Sequence, residues 1–593
     1  MYSLNELLND ITVDELKKHY RLLHSRMAVT RKAELVSAME AALAGDHVLK
    51  VYESLSKLEK HAVAEAIYAE DLCFDADKLR AKYGSTPEFY KKEEHDYGSR
   101  RGEMNLLKVF FYYRRYGSGK MMMPKDVAQR LRQFVKRPAA LKVKTMNEPV
   151  AEEGLLVVDT EFEAVHCVTA LLRLADQGKL KITQKTGMVS KAVSKTVLEK
   201  LCIDDYYSEK VAFPTGKYDQ VIGNIKPIGW LRMIETASLF KMVGSKSKLT
   251  PSGTKMLNSP AHEIILHIWK KWISNTKYDE FNRVEDIKGQ NRKGHMTAKP
   301  PRRKAVLKAL SDCPVGEWVD MKVFSKYMLG SGSGYDFAVS TDEYKLYLCD
   351  AQYGHQGYSS YGGWDTLEYR YILAFMFEYA ATLGIIDIAY VNPCNALDDY
   401  THQWGAEQLE WLSRFDGLRA FRITNIGAYC LGLANTYQAA DHTGNVVISV
   451  SPNLTIKIIS GELQPQQKLL LETWAKLESE SVWRLDPLRA RDAIERGQDK
   501  QALVEFIESC DEQFIPDTII GFLKKAESDA QALRNSGEMQ LFTCRDSKTC
   551  DLIATHKETA KYCMKCGDTQ LVVFAEKMEK FRKVIHAMGL GIV

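Results

Sequence analysis

Four cysteines near the C-terminus are the only residues of the sequence whose spacing is typical of a metal site. They form two pairs, Cys544 with Cys550 and Cys563 with Cys566. Four thiolates can hold a tetrahedral zinc ion, and the two-residue gap of the second pair is that of a zinc knuckle. The first pair is more widely spaced, and the residues between the pairs have a helical pattern, so an ordinary strand and helix is the alternative. A structural zinc is the one cofactor that this pattern suggests.

The sequence contains no recognisable motif for nucleotide hydrolysis. The nearest match to a phosphate-binding loop is Gly117-Ser118-Gly119-Lys120-Met121, but Arg114 occupies the position of the first glycine. No Ser or Thr follows the lysine to bind magnesium. Asp159 and Glu161 are present without a recognisable catalytic partner. We therefore predict that the protein is not an enzyme. A nuclease whose metal-binding carboxylates come from distant segments is the alternative.

The charge of the chain is unevenly distributed. The net charge of the 593 residues is only +4, yet residues 241–304 contain fifteen Lys or Arg against five Asp or Glu. Such a local excess is typical of a surface that binds a polyanion such as DNA. A solvated, lysine-rich linker would have the same composition.

A short phrase occurs three times, at residues 182–187, 249–253 and 423–427. In each copy an apolar residue and Thr follow a helix-spaced apolar stretch and precede a glycine. A strand that ends in a glycine-dependent turn after a helix is what the wing of a winged-helix module requires. The repetition predicts an array of small modules. A common β-turn signature is the alternative for each single copy.

The first 45 residues predict two short helices with basic side chains near their junction. Thr12-Val13-Asp14-Glu15 is a capping box that begins the first helix, and the second begins near Arg31. This arrangement resembles the SAP-type DNA-binding motif, in which a helix N-terminus and its basic side chains contact phosphate. A plain helical hairpin with a solvated basic face is the alternative.

The predicted fold is mainly α with α+β modules, as tandem winged-helix domains followed by a small C-terminal α/β domain. A basic linker without apolar periodicity, which we interpret as mobile or bound to an acidic group, divides the modules. The predicted parts are a SAP-like helical hairpin (1–45), a helical or winged-helix module (46–140), winged-helix modules (155–205, 206–281 and 305–435), the linker (282–304) and the α/β domain with a C-terminal extension (443–593).

The C-terminal third resembles the N-terminal domain of XPB-family helicases. The residues that carry this resemblance are Val447 to Pro452, Asn453-Leu454-Thr455, Trp474, Leu477, Arg484-Leu485, Ala493, Gly497 and Pro516. The chain looks still more similar to bacterial helicase-associated proteins that carry this domain without a motor. In the helicases the domain contacts damaged or distorted DNA and regulatory partners. The resemblance therefore implies winged-helix modules, an α/β domain and a separate motor.

The expected function is that of a non-catalytic DNA-binding accessory protein, which works with a separate helicase or nuclease in bacterial DNA repair or anti-phage defence. A scaffold that docks a helicase motor is the alternative, and a divergent metal-dependent nuclease subunit is the second. The residues predicted to contact phosphate are Lys17, Lys18, Arg21, Arg31, Lys32, Lys181, Lys185, Lys246, Lys248, Arg302, Arg303 and Lys304.

The expected location is the cytoplasm. The N-terminus has no basic segment followed by an apolar stretch, so we expect no secretory signal. The most apolar segment, residues 371–391, contains Glu378, Gly384 and Asp387, so we expect it to be buried in protein and not in a membrane. Twelve cysteines without a small-domain disulfide framework suit a reducing compartment.

Overall fold

The computed structural model shows a mixed α+β protein, about half helical, with several small antiparallel sheets. It describes residues 1–23, 29–91, 103–114, 120–180, 191–201, 203–207, 223–243, 246–350, 354–358, 363–403, 406, 409–439, 446–479, 481–510, 515–533 and 537–593. Among these residues, no helix has both the length and the apolar composition needed to cross a membrane.

The helices are numbered here in chain order. They are α1 (Leu4–Asp10), α2 (Val13–Leu23), α3 (Lys32–Ala44), α4 (His47–Glu53), α5 (Lys57–Tyr68), α6 (Ala76–Tyr83), α7 (Lys125–Leu131), α8 (Thr160–Asp176), α9 (Lys191–Leu201), α10 (Lys226–Thr236), α11 (Pro251–Leu257), α12 (Ala261–Ser274), α13 (Lys299–Ser311), α14 (Met321–Ser331), α15 (Gly363–Thr366), α16 (Glu368–Ala374), α17 (Asn425–Leu431), α18 (Pro465–Trp474), α19 (Pro487–Glu495), α20 (Gln501–Cys510), α21 (Asp517–Ala530), α22 (Ser547–Thr555) and α23 (Met578–Ala587). A π-helical segment, Phe375–Ala381, continues α16.

The strands are also numbered in chain order. They are β1 (Tyr112–Tyr113), β2 (Met121–Met122), β3 (Leu156–Val158), β4 (Phe240–Val243), β5 (Lys246–Leu249), β6 (Ile287–Lys288), β7 (Trp318–Asp320), β8 (Tyr347–Asp350), β9 (Gly354–Tyr358), β10 (Ile386–Tyr390), β11 (Leu418–Ile423), β12 (Val447–Ser451), β13 (Thr455–Ser460), β14 (Ala475–Ser479), β15 (Val482–Leu485), β16 (Met539–Thr543), β17 (Cys563–Lys565) and β18 (Gln570–Phe574). The sheets have the orders β1-β2, β3-β10-β11-β7, β4-β5, β6-β8-β9, β12-β13-β15-β14 and β16-β18-β17.

The chain forms two compact units. The first contains residues 1–447 and 459–472, and the second contains residues 448–458 and 473–593. One apolar core of the first unit is built from residues between Leu4 and Val135, and a larger one from residues between Ala164 and Leu469. The predicted modules at 155–205, 206–281 and 305–435 all contribute to this larger core.

The segment predicted as a linker, residues 282–304, is folded. It includes the end of a 3₁₀ turn (Glu280–Arg283), strand β6 and the start of α13. Pro300 lies in the first turn of α13, where a missing N–H is tolerated. The linker prediction is therefore wrong for these residues.

The two N-terminal helices of the predicted SAP-like motif are present as α2 and α3. Thr12 Oγ1 accepts a hydrogen bond from Glu15 N at 3.2 Å, as the capping box predicts. The residues between the helices lie partly outside the described ranges. The helices pack through side chains such as Leu16, Leu35 and Met39, which are fully buried.

Two of the three sequence repeats lie in described residues, and they have the same local structure. The threonine follows a strand and is the N-cap of a helix. Thr250 Oγ1 accepts from Gly253 N at 3.0 Å, and Thr424 Oγ1 accepts from Gly427 N at 2.9 Å. The glycine lies in the first turn of α11 or α17, so the prediction that it closes the turn of a wing is wrong. The copy at 182–187 lies outside the described residues.

Both glycines are needed because the helix start packs against a backbone carbonyl. A Cβ at Gly253 would lie 1.8 Å from the Leu239 oxygen, and one at Gly427 would lie 1.9 Å from the Ile385 oxygen. Leu239 and Ile385 each directly precede the first strand of an antiparallel pair, β4–β5 or β10–β11. The Thr-x-x-Gly phrase therefore joins each strand pair to the helix that follows it.

Helix α10 packs against the π-helical segment. Gly229 of α10 lies so close to the Glu378 carbonyl that a Cβ would be 2.4 Å from its oxygen. The Glu378 carboxylate is fully buried and accepts from Arg283 Nε at 2.7 Å. Arg232 of α10 lies 3.9 Å from the same carboxylate and donates to Tyr379 Oη at 3.1 Å. All side chains of the π-helical segment are buried, so every face of this segment packs against other parts of the protein.

The second unit contains the sheet β12-β13-β15-β14 and the sheet β16-β18-β17, with α19 to α23. Helix α18 ends at Trp474, and strand β14 follows it directly. Asp486 N donates to the Trp474 carbonyl at 3.0 Å, and the Asp486 side chain is the N-cap of α19. The α/β prediction for this region is confirmed only at the level of a mixed, antiparallel α+β fold.

A substitution at Gly253 tests the role of the repeat. Gly253→Ala places a Cβ against the Leu239 carbonyl, and we expect it to lower the free energy of unfolding by about 3 kcal/mol. Chemical denaturation followed by tryptophan fluorescence measures this, because Trp230, Trp269 and Trp272 are buried in the same core. Gly45→Ala is the control, since nothing lies within 4 Å of a Cβ there. Equal stability of the two variants would contradict the assignment.

Candidate nucleic-acid interface

The hairpin β4–β5 presents three lysines on one exposed face. Lys241 pairs directly with Lys248, and Val243 pairs with Lys246. The three lysine side chains are exposed. None of them forms an ion pair with a carboxylate of the described residues. Like charges directly opposite each other destabilise an antiparallel pair. The hairpin therefore concentrates positive charge at some expense of its own stability.

The inward side chains of the hairpin fix its orientation. Ser247 is buried between Lys246 and Lys248, and its Oγ donates to the Ala175 carbonyl at the end of α8 at 2.9 Å. The same Oγ accepts from Leu180 N at 3.2 Å. Because side chains alternate along a strand, these buried contacts direct Lys246 and Lys248 toward solvent.

The predicted basic residues of the N-terminal helices differ in their contacts. Lys18, Arg21 and Arg31 are exposed and have no ion pair with a described carboxylate. Lys17 lies 3.9 Å from Asp14, a weak surface pair. Lys32 has a structural role, because its Nζ donates to the carbonyls of Asn9 at 2.7 Å and Ile11 at 3.0 Å and so caps the end of α1.

Arg302 and Arg303 are inside the protein, which corrects their prediction as phosphate ligands. The Arg302 guanidinium donates to both oxygens of Asp279, at 2.9 and 3.2 Å. Arg303 donates to both oxygens of Glu280, at 2.6 and 3.1 Å. The two arginines are 1% and 0% exposed, so neither can reach a phosphate. Only Lys304 of this cluster is exposed.

All five N–H groups of Arg303 are used. Besides Glu280, they bind the carbonyls of Trp272, Asn275 and Tyr278 at 2.6 to 2.8 Å. Two of these carbonyls terminate α12, so the guanidinium also neutralises the negative end of that helix. Glu280 raises the pKa of Arg303 against the effect of burial. The acidic residues 23 positions before the arginines were the sequence signal for this pairing.

Lys181 and Lys185 lie outside the described residues, so their prediction stays untested. Lys241 was missed by the sequence reasoning. Lys241 and Val243 are two residues apart on β4, as Lys246 and Lys248 are on β5. Because alternate residues of a strand share a face, this spacing was the signal that Lys241 lies on the same face as the other two lysines.

Three of the four cysteines of the predicted zinc site, Cys544, Cys550 and Cys563, lie close enough to interact with one another. Cys550 and Cys563 are buried in the apolar core of the C-terminal sheet and donate to backbone carbonyls. Cys566 is exposed after β17. Burial and the neighbouring Cys550 raise the pKa of the Cys544 thiol to about 11. No group of three or more potential ligands that could hold a metal is found among the described residues, so the zinc prediction is not supported.

The acidic residues around Asp159 join structural elements. Asp387 accepts from Thr160 N, the first residue of α8, at 2.9 Å and from Arg422 at 2.8 Å. Glu161 accepts from Asn425 N, the first residue of α17, at 2.9 Å. Burial raises the pKa of both carboxyl groups. These contacts explain the carboxylates as helix caps and ion pairs.

The buried pair Arg303–Glu280 can be tested by removing one partner. Arg303→Met leaves the Glu280 carboxylate buried without its cation, and we expect a loss of about 3–5 kcal/mol in the free energy of unfolding. The neighbouring Lys304→Met is the control, with an expected change within about 0.5 kcal/mol. The two variants are compared by denaturant titration. If Arg303→Met were as stable as Lys304→Met, the pair would not support the core.

Comparison with known proteins does not assign the chain to a family. No family model matches the sequence, and no curated protein matches it. The resemblance to the XPB-family N-terminal domain and to helicase-associated proteins therefore remains a prediction.

Proposed function

We propose that this protein is a non-catalytic DNA-binding accessory protein whose principal contact with DNA is the lysine face of the hairpin β4–β5. The observation that carries the proposal is the direct pairing of Lys241 with Lys248, beside Lys246, without described carboxylate partners. Affinity comes from ammonium–phosphate contacts and the release of counterions. Lys18, Arg21 and Arg31 of the SAP-like hairpin supply a second phosphate contact.

The order of the elements supports a winged-helix interpretation. The series α13, β7, α14, α16 with its π-helical continuation, β10 and β11 has the helix–strand–helix–helix–strand–strand order of such a module, with β8, β9 and α15 inserted between α14 and α16. The sheet order β7-β11-β10 agrees with it. The series α8, α9, α10, β4 and β5 follows the same helical order, although residues 181–190 between α8 and α9 are not described. In this interpretation β4–β5 is a wing, and the third helix of each module is the recognition helix.

The packing of these third helices indicates which contacts with DNA are available. Helix α10 and the π-helical segment lie against each other at Gly229 and Glu378 and are largely buried. A buried helix cannot enter the major groove, where base sequence is read. The proposed binding is therefore to the phosphate backbone and independent of sequence.

The proposed biological context is a bacterial repair or anti-phage complex that includes a separate helicase or nuclease. It rests on the resemblance of residues 446–593 to the N-terminal domain of XPB-family helicases, where the domain works beside a motor. The carboxylates near Asp159, which a nuclease would need as metal ligands, have structural partners instead. The cytoplasm is the proposed location.

A protein-interaction scaffold is the second candidate, and one observation favours it. The outer face of the sheet β16-β18-β17 is apolar, because Leu541, Val572 and Met564 pair side by side across the three strands. Leu541 is 59% exposed and Met564 is 53% exposed. Exposed apolar patches mark surfaces where other proteins bind. Strong DNA binding by the purified protein would argue against this candidate as the sole function.

The hairpin proposal predicts a change in the salt dependence of binding. Lys246→Ala with Lys248→Ala should weaken binding to duplex DNA, with a decrease of about 0.9 per lysine in the slope of log K against log salt concentration. Fluorescence anisotropy at several salt concentrations measures both quantities.

The matched control removes the same charge elsewhere. Lys524 and Lys525 of α21 are exposed, and changing both to Ala should leave the affinity and the slope unchanged. An identical slope for the hairpin variant and the wild type would remove the hairpin from the interface. Equal losses in both variants would show that net charge alone governs binding.

A further inference from the structure

The glycine-rich loop that follows α14, residues 332–335, has a basic groove on each side. On one side, a groove of about 610 Å³ is bordered by Lys304 and Lys308 of α13. On the other, a pocket of about 370 Å³ is bordered by Lys78, Lys82 and Arg137. Tyr335 of the loop lines the second pocket, and Lys308 Nζ lies 3.9 Å from the centre of its ring. The loop thus separates two adjacent sets of cations.

Two ammonium groups lie directly against the loop. A Cβ at Gly332 would be 3.1 Å from Lys78 Nζ, and one at Gly334 would be 2.6 Å from Lys308 Nζ. Both glycines have positive φ, +71° and +86°, a conformation that L-amino acids rarely adopt. Two consecutive Cα–Cα steps span at most about 7 Å, so the two ammonium groups approach the same short stretch of backbone. The cations of the two grooves therefore form one track across the loop.

The track has more cations than carboxylates. Its five cations are Lys78, Lys82, Arg137, Lys304 and Lys308, and the carboxylates beside it are Glu65, Asp312 and Asp336. Glu65 takes up Lys78 at 3.4 Å and Lys82 at 2.7 Å. Lys304 and Lys308 are exposed and have no ion pair with a described carboxylate. These two lysines are one helical turn apart, so their side chains lie on the same face of α13.

The surface beside Lys304 and Lys308 is largely apolar. Ala298, Pro301 and Ala305 lie along the α13 groove, with Phe337 at its far side. Tyr335 lines the pocket across the loop and is partly exposed, whereas the neighbouring Tyr327 is buried. A cationic track with aromatic side chains is the arrangement that binds single-stranded nucleic acid, since phosphates meet the ammonium groups and bases stack on rings. A duplex exposes few base faces and would use only the phosphate contacts.

We propose that this loop track, formed by Lys304, Lys308, Arg137, Lys78 and Tyr335, binds single-stranded nucleic acid. The inference rests on the proposed DNA-binding function and gives it a second site with a different substrate. The hairpin β4–β5 contacts the backbone of a duplex, and the loop track holds an unpaired strand. A protein with both sites is suited to DNA in which duplex and single strand meet.

The test compares two double variants on two probes. Lys304→Ala with Lys308→Ala is measured against an oligothymidylate of about 20 nucleotides and against a duplex of equal length, by anisotropy over a salt series. We expect weaker oligothymidylate binding and a slope lower by about 0.7 per lysine, with duplex binding unchanged. Lys304→Arg with Lys308→Arg should keep the affinity. Both lysines are exposed, so thermal unfolding of each variant should match the wild type.

Each remaining outcome has a distinct meaning. Unchanged oligothymidylate binding in the Ala variant would overturn the loop track, while a duplex effect of the hairpin variant would still support the proposed function. Equal losses on both probes would overturn the single-strand assignment. Displacement of the oligothymidylate by polyglutamate at equal charge concentration would assign the groove to an acidic protein segment and overturn the proposal. No binding of either probe at low salt would overturn the loop track and the proposed function together.

Discussion

The ion pairs Arg302–Asp279 and Arg303–Glu280 connect the first turns of α13 to the segment after α12. An arginine buried without a partner would be strongly destabilising, so these pairs favour the fold in which the partners meet. Each guanidinium also binds backbone carbonyls, at Thr297 for Arg302 and at the end of α12 for Arg303. The pairs therefore specify where α13 begins relative to α12. A similar arrangement links the segment after α12 to the π-helical segment and α10. In it, Arg283 of that segment and Arg232 of α10 lie beside the Glu378 carboxylate.

This core has a direct consequence for function. The same contacts that bury Glu378 bring α10 against the π-helical segment, and these are the helices that the proposed winged-helix interpretation would assign to base recognition. The lysine face of β4–β5 is exposed, and Ser247 anchors it to α8. The exposed Lys304 and Lys308 follow the buried arginines on α13 and border the groove beside the glycine-rich loop. A basic stretch of sequence is thus divided by folding into structural arginines and available lysines.

Local patterns in the sequence predicted the local structure well. The cap bond from Glu15 N to Thr12 Oγ1, the two helices after it and the strand before Thr250 are all present. Each depends on neighbouring residues, whose propensities act over one or two turns. The Thr-x-x-Gly repeat was recognised, but its glycine was placed in a turn, because the contact that requires it comes from a carbonyl 14 positions away at Leu239 or 42 positions away at Ile385. The positions of Arg302 and Arg303 depended in the same way on partners 23 residues earlier, so composition alone placed them in a basic linker and predicted that they contact phosphate. The cysteine spacing suggested zinc, yet Cys550 and Cys563 face an apolar core, which spacing cannot reveal.

The central claim is that this protein binds DNA through its phosphates and not through its bases. The most direct measurement is the affinity of the purified protein for two duplexes of the same length and unrelated sequence, each over a series of salt concentrations. The account predicts equal affinities and the same steep dependence on salt for both duplexes. A more than tenfold preference for one sequence, or no binding to either duplex at low salt, would contradict it.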